Sequence, residues 1–161
     1  MGIIIEKQSK CPICNTVLDN GKGYVIVPPL INNKKDNLFI FSDVGVHIDC
    51  INSSKFKKEL IYHINLYNQQ IPPSMQKCFI DGRIVDNPEN YLFFGLLTSD
   101  ESEELYNFNY LTFNKKNIQN WRDLNKFLLI SGKFLSDNKW ESLNDFNKLR
   151  YIVEKVKEYD K

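Results

Sequence analysis

The chain of 161 residues has no alanine, three arginines against 18 lysines, and two histidines. Alanine is ordinarily among the commonest residues, so its absence, beside 19 asparagines, points to a coding bias toward AT-rich codons. That bias inflates Asn and Lys everywhere, and neither counts alone as evidence of a binding site. Also missing is any excess of one charge: 21 Lys+Arg face 20 Asp+Glu. The balance excludes a polybasic tail, an acidic tail, and a partner chosen by net charge alone. No long hydrophobic run exists; the longest, Tyr91 to Leu97 (YLFFGLL), is too short to cross a bilayer. At the start, MGIIIEKQSK holds an apolar run stopped by Glu6 and Lys7, which is not a signal-peptide core. Glu6 also stands where myristoylation of Gly2 would want Ser or Thr. The expectation is a cytoplasmic protein with no membrane partner, whose four cysteines are reduced thiols or metal ligands.

What is present suffices for a folded α+β protein. Of the residues, 42% are hydrophobic, and a chain of this length buries roughly 70% of its unfolded surface. Asn20-Gly21 is a hairpin signal, followed by a strand-like Tyr24 to Ile31 that Pro28-Pro29 confine to an edge or bend. A polar loop, Asn32 to Asn37, leads to Leu38 to Phe41 as a returning buried strand. After Cys50 the apolar spacing becomes helical at Phe56, Leu60, Ile64 and Tyr67. Pro72-Pro73 should end that helix and divide the chain into a first region, 1–71, and a second, 75–161.

In the second region, Asp81-Gly82 separates two apolar triplets as a tight hairpin would. Tyr91 to Thr98 and Tyr106 to Phe113 read as further strands of a small antiparallel sheet. Between them lie Asp100, Glu101, Glu103 and Glu104, with Asp100 and Glu103 spaced as a capping box. Ile118, Trp121, Leu124 and Leu128 mark one closing helix; Leu143, Phe146, Arg150, Val153 and Val156 mark the other. Trp121-x-x-Leu124-Asn125-x-Phe127 echoes Trp140-x-x-Leu143-Asn144-x-Phe146. Repeat architectures need more copies, so this reads as two amphipathic helices that each anchor a tryptophan.

The informative constellation is Cys11-Pro12-Ile13-Cys14 and, 32 residues on, His47-Ile48-Asp49-Cys50. Two residues between ligands lets both side chains of a tight turn reach one ion. Three thiolates and an imidazole suit Zn2+ and complete a tetrahedron with no open position, which makes the zinc structural. Closing the spacer costs about 3 kcal/mol in chain entropy, against about 10–16 kcal/mol returned by structural zinc in small peptides. Asn15 follows the first pair where a knuckle turn favours positive φ. If a helix starts near His47, Cys50 falls in its first turn, where the macrodipole favours a thiolate.

Knuckle, hairpin, then a helix carrying the last two ligands resembles the treble-clef zinc-finger superfamily over about Cys11 to Asn68. The resemblance is to an architecture rather than to one family, and it implies a fold and a metal while leaving function open. Treble clefs also occur in HNH-type nucleases, which carry a catalytic His beside an Asp on the hairpin and an Asn and a further His on the helix. Here Asp43 has no neighbouring His, His47 is committed to metal, and His63 and Asn65 lack that arrangement. Cys78 offers two alternatives, a fourth thiolate in place of His47 or a nucleophile with His63 as base; a buried Cys and a surface His are the plainer expectation. No catalytic residues are assigned.

Two surfaces remain. Lys55, Lys57 and Lys58 are a local hint of nucleic-acid binding, which needs several clustered cations. Asp100, Glu101, Glu103 and Glu104 can steer a basic protein partner, and the 13% aromatic content offers interface anchors. The leading expectation is a non-enzymatic, zinc-stabilised protein that recognises another protein, with nucleic-acid binding as the alternative, a nuclease or other enzyme next, and no small-molecule substrate evident. Its profile is similar to that of bacterial toxin-immunity proteins and phage-defence or anti-defence factors.

Overall fold

Short apolar runs punctuated by Asn, Gly and Pro cannot sustain long strands. In the computed structural model, which describes residues 4, 5, 8–19, 21–70 and 75–159, every strand has three residues. β1 (Tyr24–Ile26) pairs antiparallel with β2 (Gly45–His47), in the register Tyr24 opposite His47. Two helices follow, α1 (Ile48–Ser53) and α2 (Lys57–Gln69). Next, β3 (Tyr91–Phe93) pairs antiparallel with β4 (Thr112–Asn114), and α3 (Leu124–Ser136) and α4 (Lys148–Glu158) close the chain. The result is a mixture of helices and two small antiparallel sheets, and no helix among the described residues is long and apolar enough to cross a membrane.

Several expected elements are shorter or different. The strand foreseen over Tyr24 to Ile31 stops at Ile26, because Pro28 and Pro29 have no N–H to give a ladder. Leu38 to Phe41 is not a strand: Phe39–Phe41 is a 3-10 turn, started by the Asp36 carboxylate, which accepts the Leu38 N–H at 2.9 Å. The run from Tyr91 ends at Phe93, with Gly95 at φ 69°, a left-handed position that glycine occupies without strain. Much of the foreseen strand from Tyr106 is a 3-10 helix, Glu104–Phe108. Ile118 lies in the 3-10 segment Lys115–Asn120 and Trp121 caps it, so that helix begins only at Leu124. The last helix begins at Lys148, with the Asn147 side chain accepting the Arg150 N–H at 2.9 Å. Leu143 and Phe146 therefore precede it, exposed. Asp100 caps its own turn, accepting from the Ser102 N–H and hydroxyl, rather than forming a capping box. Asn20 of the hairpin signal and the Pro72-Pro73 boundary lie outside the described residues.

Two apolar clusters form. One gathers Leu18, Val27, Leu30, Leu38, Phe41, Val46, Ile51 and Leu60. The other is aromatic, with Phe94, Phe108, Phe113, Trp121 and Phe127 in mutual ring contact at 4.7–6.0 Å between centroids. Polar contacts join the two stretches of chain. Asp36 accepts from the Ser99 N–H at 2.7 Å and hydroxyl at 2.8 Å. Asn33 accepts the Glu141 N–H at 2.9 Å and donates to the Lys139 carbonyl at 2.9 Å. Leu96 sits in the first cluster, beside a bridge to Ile31.

Phe94 is fully buried among three aromatic rings. Phe94→Ala is expected to cost about 3–5 kcal/mol, read as a lowered urea midpoint; an unchanged midpoint would contradict this packing.

Candidate metal centre

The first ligand pair is held by a turn that bonds to itself. The Asn15 N–H donates to the Cys11 carbonyl and the Cys11 N–H to the Thr16 carbonyl, both at 2.9 Å. The turn requires Asn15 at φ 56°, and asparagine tolerates this better than most residues. Lys10 and Val17 close it with an antiparallel bridge. The second pair comes from the other end of the hairpin. His47 is the last residue of β2 and the N-cap of α1, with extended backbone at φ −60° and ψ 138°. Cys50 therefore falls in the first turn of α1, where the helix dipole favours negative charge. The Ile48 N–H donates to the Gly23 carbonyl at 3.0 Å, tying the helix start to the hairpin.

The Cys11, Cys14 and Cys50 thiols and the His47 imidazole lie within 4.8 Å of one another, and this cluster can hold a metal ion. Tetrahedral ligation at ordinary metal–sulfur lengths wants edges of about 3.8 Å, so the donors are close to bonding positions. Cys11 and His47 are buried, Cys50 is half-buried and Cys14 is exposed. His47 Nδ1 lies 3.3 Å from Cys14 Sγ, while Nε2 is buried without a hydrogen-bond partner. The thiols resist sharing one protonation state. Thr16, through its hydroxyl at 3.0 Å and its backbone, pulls Cys14 down to about 6, with His47 and Cys50 assisting. Burial pushes Cys50 up to about 11, and the neighbouring Cys14 and Cys11 push the same way. A cation at the centre would favour the Cys50 thiolate against the burial and the neighbouring thiols that oppose it.

The four expected ligands are thus brought together, and Cys78 is not among them. Cys78 is buried in a turn of its own, where its Sγ accepts from the Asn117 amide at 3.7 Å. His63, expected on the surface, is buried on α2 with Nδ1 3.0 Å from the Tyr110 hydroxyl. The two therefore have separate partners and do not form the nucleophile–base pair raised as an alternative. Lys55, Lys57 and Lys58 cluster at the start of α2, with Lys55 4.8 Å above the Phe56 ring. The acidic segment is partly spent internally: Glu103 binds Lys139 at 2.6 Å and Asp100 caps its turn, whereas Glu101 and Glu104 are exposed. Sequence reasoning missed Thr16, Asn117, Asp36 and Glu59 as supporting polar groups. Compared with known proteins, the chain matches no family model, no curated protein and no solved structure.

Cys14→Ser is expected to lower bound metal and thermal stability together, read by elemental analysis and calorimetry. A metal-free mutant with an unchanged melting temperature would contradict a stabilising ion. His63 gives a pH signature. Burial holds its imidazole below the ordinary range, with Asp36 and Glu101 opposing weakly. The unfolded chain therefore takes up a proton near pH 6.5 that the folded chain refuses. The stability from neutral His63 is complete above about pH 6.5 and is lost as pH falls through the lower folded value. His63→Gln should reduce the slope of stability against pH just below about pH 6.5, measured by urea unfolding; an unaltered slope would contradict it.

Proposed function

We propose that this is a non-enzymatic binding protein in which a zinc-stapled, treble-clef-like unit helps to build a surface for a protein partner. The donor set supports the zinc part: three thiols and one imidazole favour zinc and leave no position for a substrate or an activated water. The ion's role is then structural. It locks the knuckle around Cys11 and Cys14 to the start of α1, which carries Cys50 directly after His47.

The observation that carries protein recognition is the meeting of acids and tyrosines from separate segments. Glu59 on α2 lies within electrostatic reach of Asp36, Asp100 and Glu101, and Tyr106 within reach of Glu59 and Tyr62 on α2 and of Glu101. Burial raises the Glu59 carboxyl first, and Asp36, Glu101 and Asp100 add to the rise, against the opposing Ser99 hydrogen bond. The Tyr106 hydroxyl donates to Glu101 at 3.4 Å, and Tyr62 is 52% exposed. Tyrosine anchors beside carboxylates suit a basic protein surface. Both regions, 1–71 and 75–161, contribute to this face. A cytoplasmic toxin-immunity protein or a phage-defence or anti-defence factor is the role that the neutral, enzyme-poor profile favours.

The test is binding to the purified product of a toxin or defence gene encoded beside this one. Glu101→Lys combined with Tyr62→Ala should weaken the complex at least about tenfold, while Lys55→Glu with Lys58→Glu should leave it unchanged. If the lysine pair alone matters, and binding is to nucleic acid with a steep salt dependence, the nucleic-acid reading replaces this one.

A further inference from the structure

The second stretch of the chain repeats the first at a constant offset of 67 positions. Strands starting at Tyr24 and Gly45 recur at Tyr91 and Thr112. The helix starting at Ile48 recurs as the 3-10 segment starting at Lys115, and α2, starting at Lys57, recurs as α3, starting at Leu124 with the same 13 residues. Irregular features keep the same step. The bridge Lys10–Val17 returns as Lys77–Ile84. The bond from Val27 N–H to the Val44 carbonyl returns from Phe94 to Leu111, and that from Asp43 to Pro28 returns from Tyr110 to Gly95. Left-handed Asn15 and Asp43 return as Gly82 and Tyr110. An unbroken offset through turns as well as regular elements is the mark of one unit used twice, with identical residues at Cys11/Cys78, Tyr24/Tyr91, Leu38/Leu105, Phe41/Phe108 and Ile51/Ile118.

The metal quartet therefore has a counterpart. Cys11, Cys14, His47 and Cys50 correspond to Cys78, Asp81, Asn114 and Asn117. The turn at Cys78 is the turn at Cys11 again: the Gly82 N–H donates to the Cys78 carbonyl and the Cys78 N–H to the Arg83 carbonyl, both at 2.8 Å. Asn117, in the position of Cys50, donates its amide to Asp81 Oδ2 at 2.8 Å and to Cys78 Sγ at 3.7 Å. Asn114, in the position of His47, caps the following 3-10 segment by accepting the Lys116 N–H at 3.1 Å.

We propose that Cys78, Asp81, Asn114 and Asn117 are a second copy of the metal site in which the Asn117 side chain has replaced the ion as the cross-link between turn and helix. This rests on the reading of the first quartet as a metal site. An amide group spanning a carboxylate and a thiol makes the same connection with two hydrogen bonds that an ion would make through its ligands. The carboxamides of Asn114 and Asn117 are poor ligands for a borderline-soft ion, so the native chain takes up one zinc and not two.

The test restores the lost ligands with Asp81→Cys, Asn114→His and Asn117→Cys in the full chain. Zinc is added under reducing conditions, and bound zinc is counted per chain by elemental analysis after dialysis, with circular dichroism confirming folding. One zinc in the native protein and two in the triple variant are expected. One in each, with the variant folded, overturns the proposal. None in the native protein and one in the variant sinks the first quartet's reading yet supports the second site's ancestry; none in either overturns both. If the triple variant does not fold, Asn117→Ala provides a separate check. Loss of the bridge should make Cys78 react with iodoacetamide at least tenfold faster, mapped by mass spectrometry, without changing zinc content. Unchanged Cys78 reactivity overturns the proposal.

Discussion

The Cys11, Cys14 and Cys50 thiols and the His47 imidazole lie within 4.8 Å of one another, and thiolates packed so closely repel unless a cation lies between them. The first unit depends on this constraint. The Cys11 turn, the end of β2 and the start of α1 meet there, and the cluster nearby is built mostly from Leu, Val and Ile with a single fully buried phenylalanine, Phe41. Burial, with Cys14 and Cys11 assisting, pushes Cys50 up to about 11, and an ion bound there would hold it as a thiolate.

The second unit solves the same geometric problem with different chemistry. At corresponding positions, Val27 becomes Phe94, Val46 becomes Phe113, Ser54 becomes Trp121 and Leu60 becomes Phe127, and these four aromatic side chains are in contact. Fully burying a large apolar side chain is worth about 1.5–3 kcal/mol, and the larger rings strengthen this core. Val153 and Val156 of α4 add to that cluster. With an aromatic core beneath it, a turn closed by two hydrogen bonds from Asn117 suffices.

The quartet was legible because two residues between ligands is a local pattern that compositional bias seldom makes. α2 was legible because Phe56, Leu60, Ile64 and Tyr67 follow a helical period. The 3-10 turn at Phe39–Phe41 was not, since an apolar triplet reads as a strand unless the capping carboxylate of Asp36 is recognised, and that at Glu104–Phe108, which no side chain caps, left no such signal. Trp121 and Trp140, read as anchors on two amphipathic helices, are both buried, but Trp121 precedes α3 and Trp140 follows it in a loop. The true offset was hidden because most of its paired positions share size, burial or turn geometry rather than identity, as at Asn15 and Gly82 or Ser42 and Asn109. Ser42 exchanges hydrogen bonds with the Ile31 backbone and Asn109 does the same with Thr98, by different side-chain groups.

Amide hydrogen exchange, followed residue by residue with and without a zinc chelator, reads this division of labour directly. Removing the ion should strip protection from the amides of Cys11, Asn15 and Ile48, while those of Cys78, Gly82 and Phe94 keep theirs. Equal loss in both units, or no loss in the first, would contradict a structure in which one unit is held by metal and the other by its aromatic core.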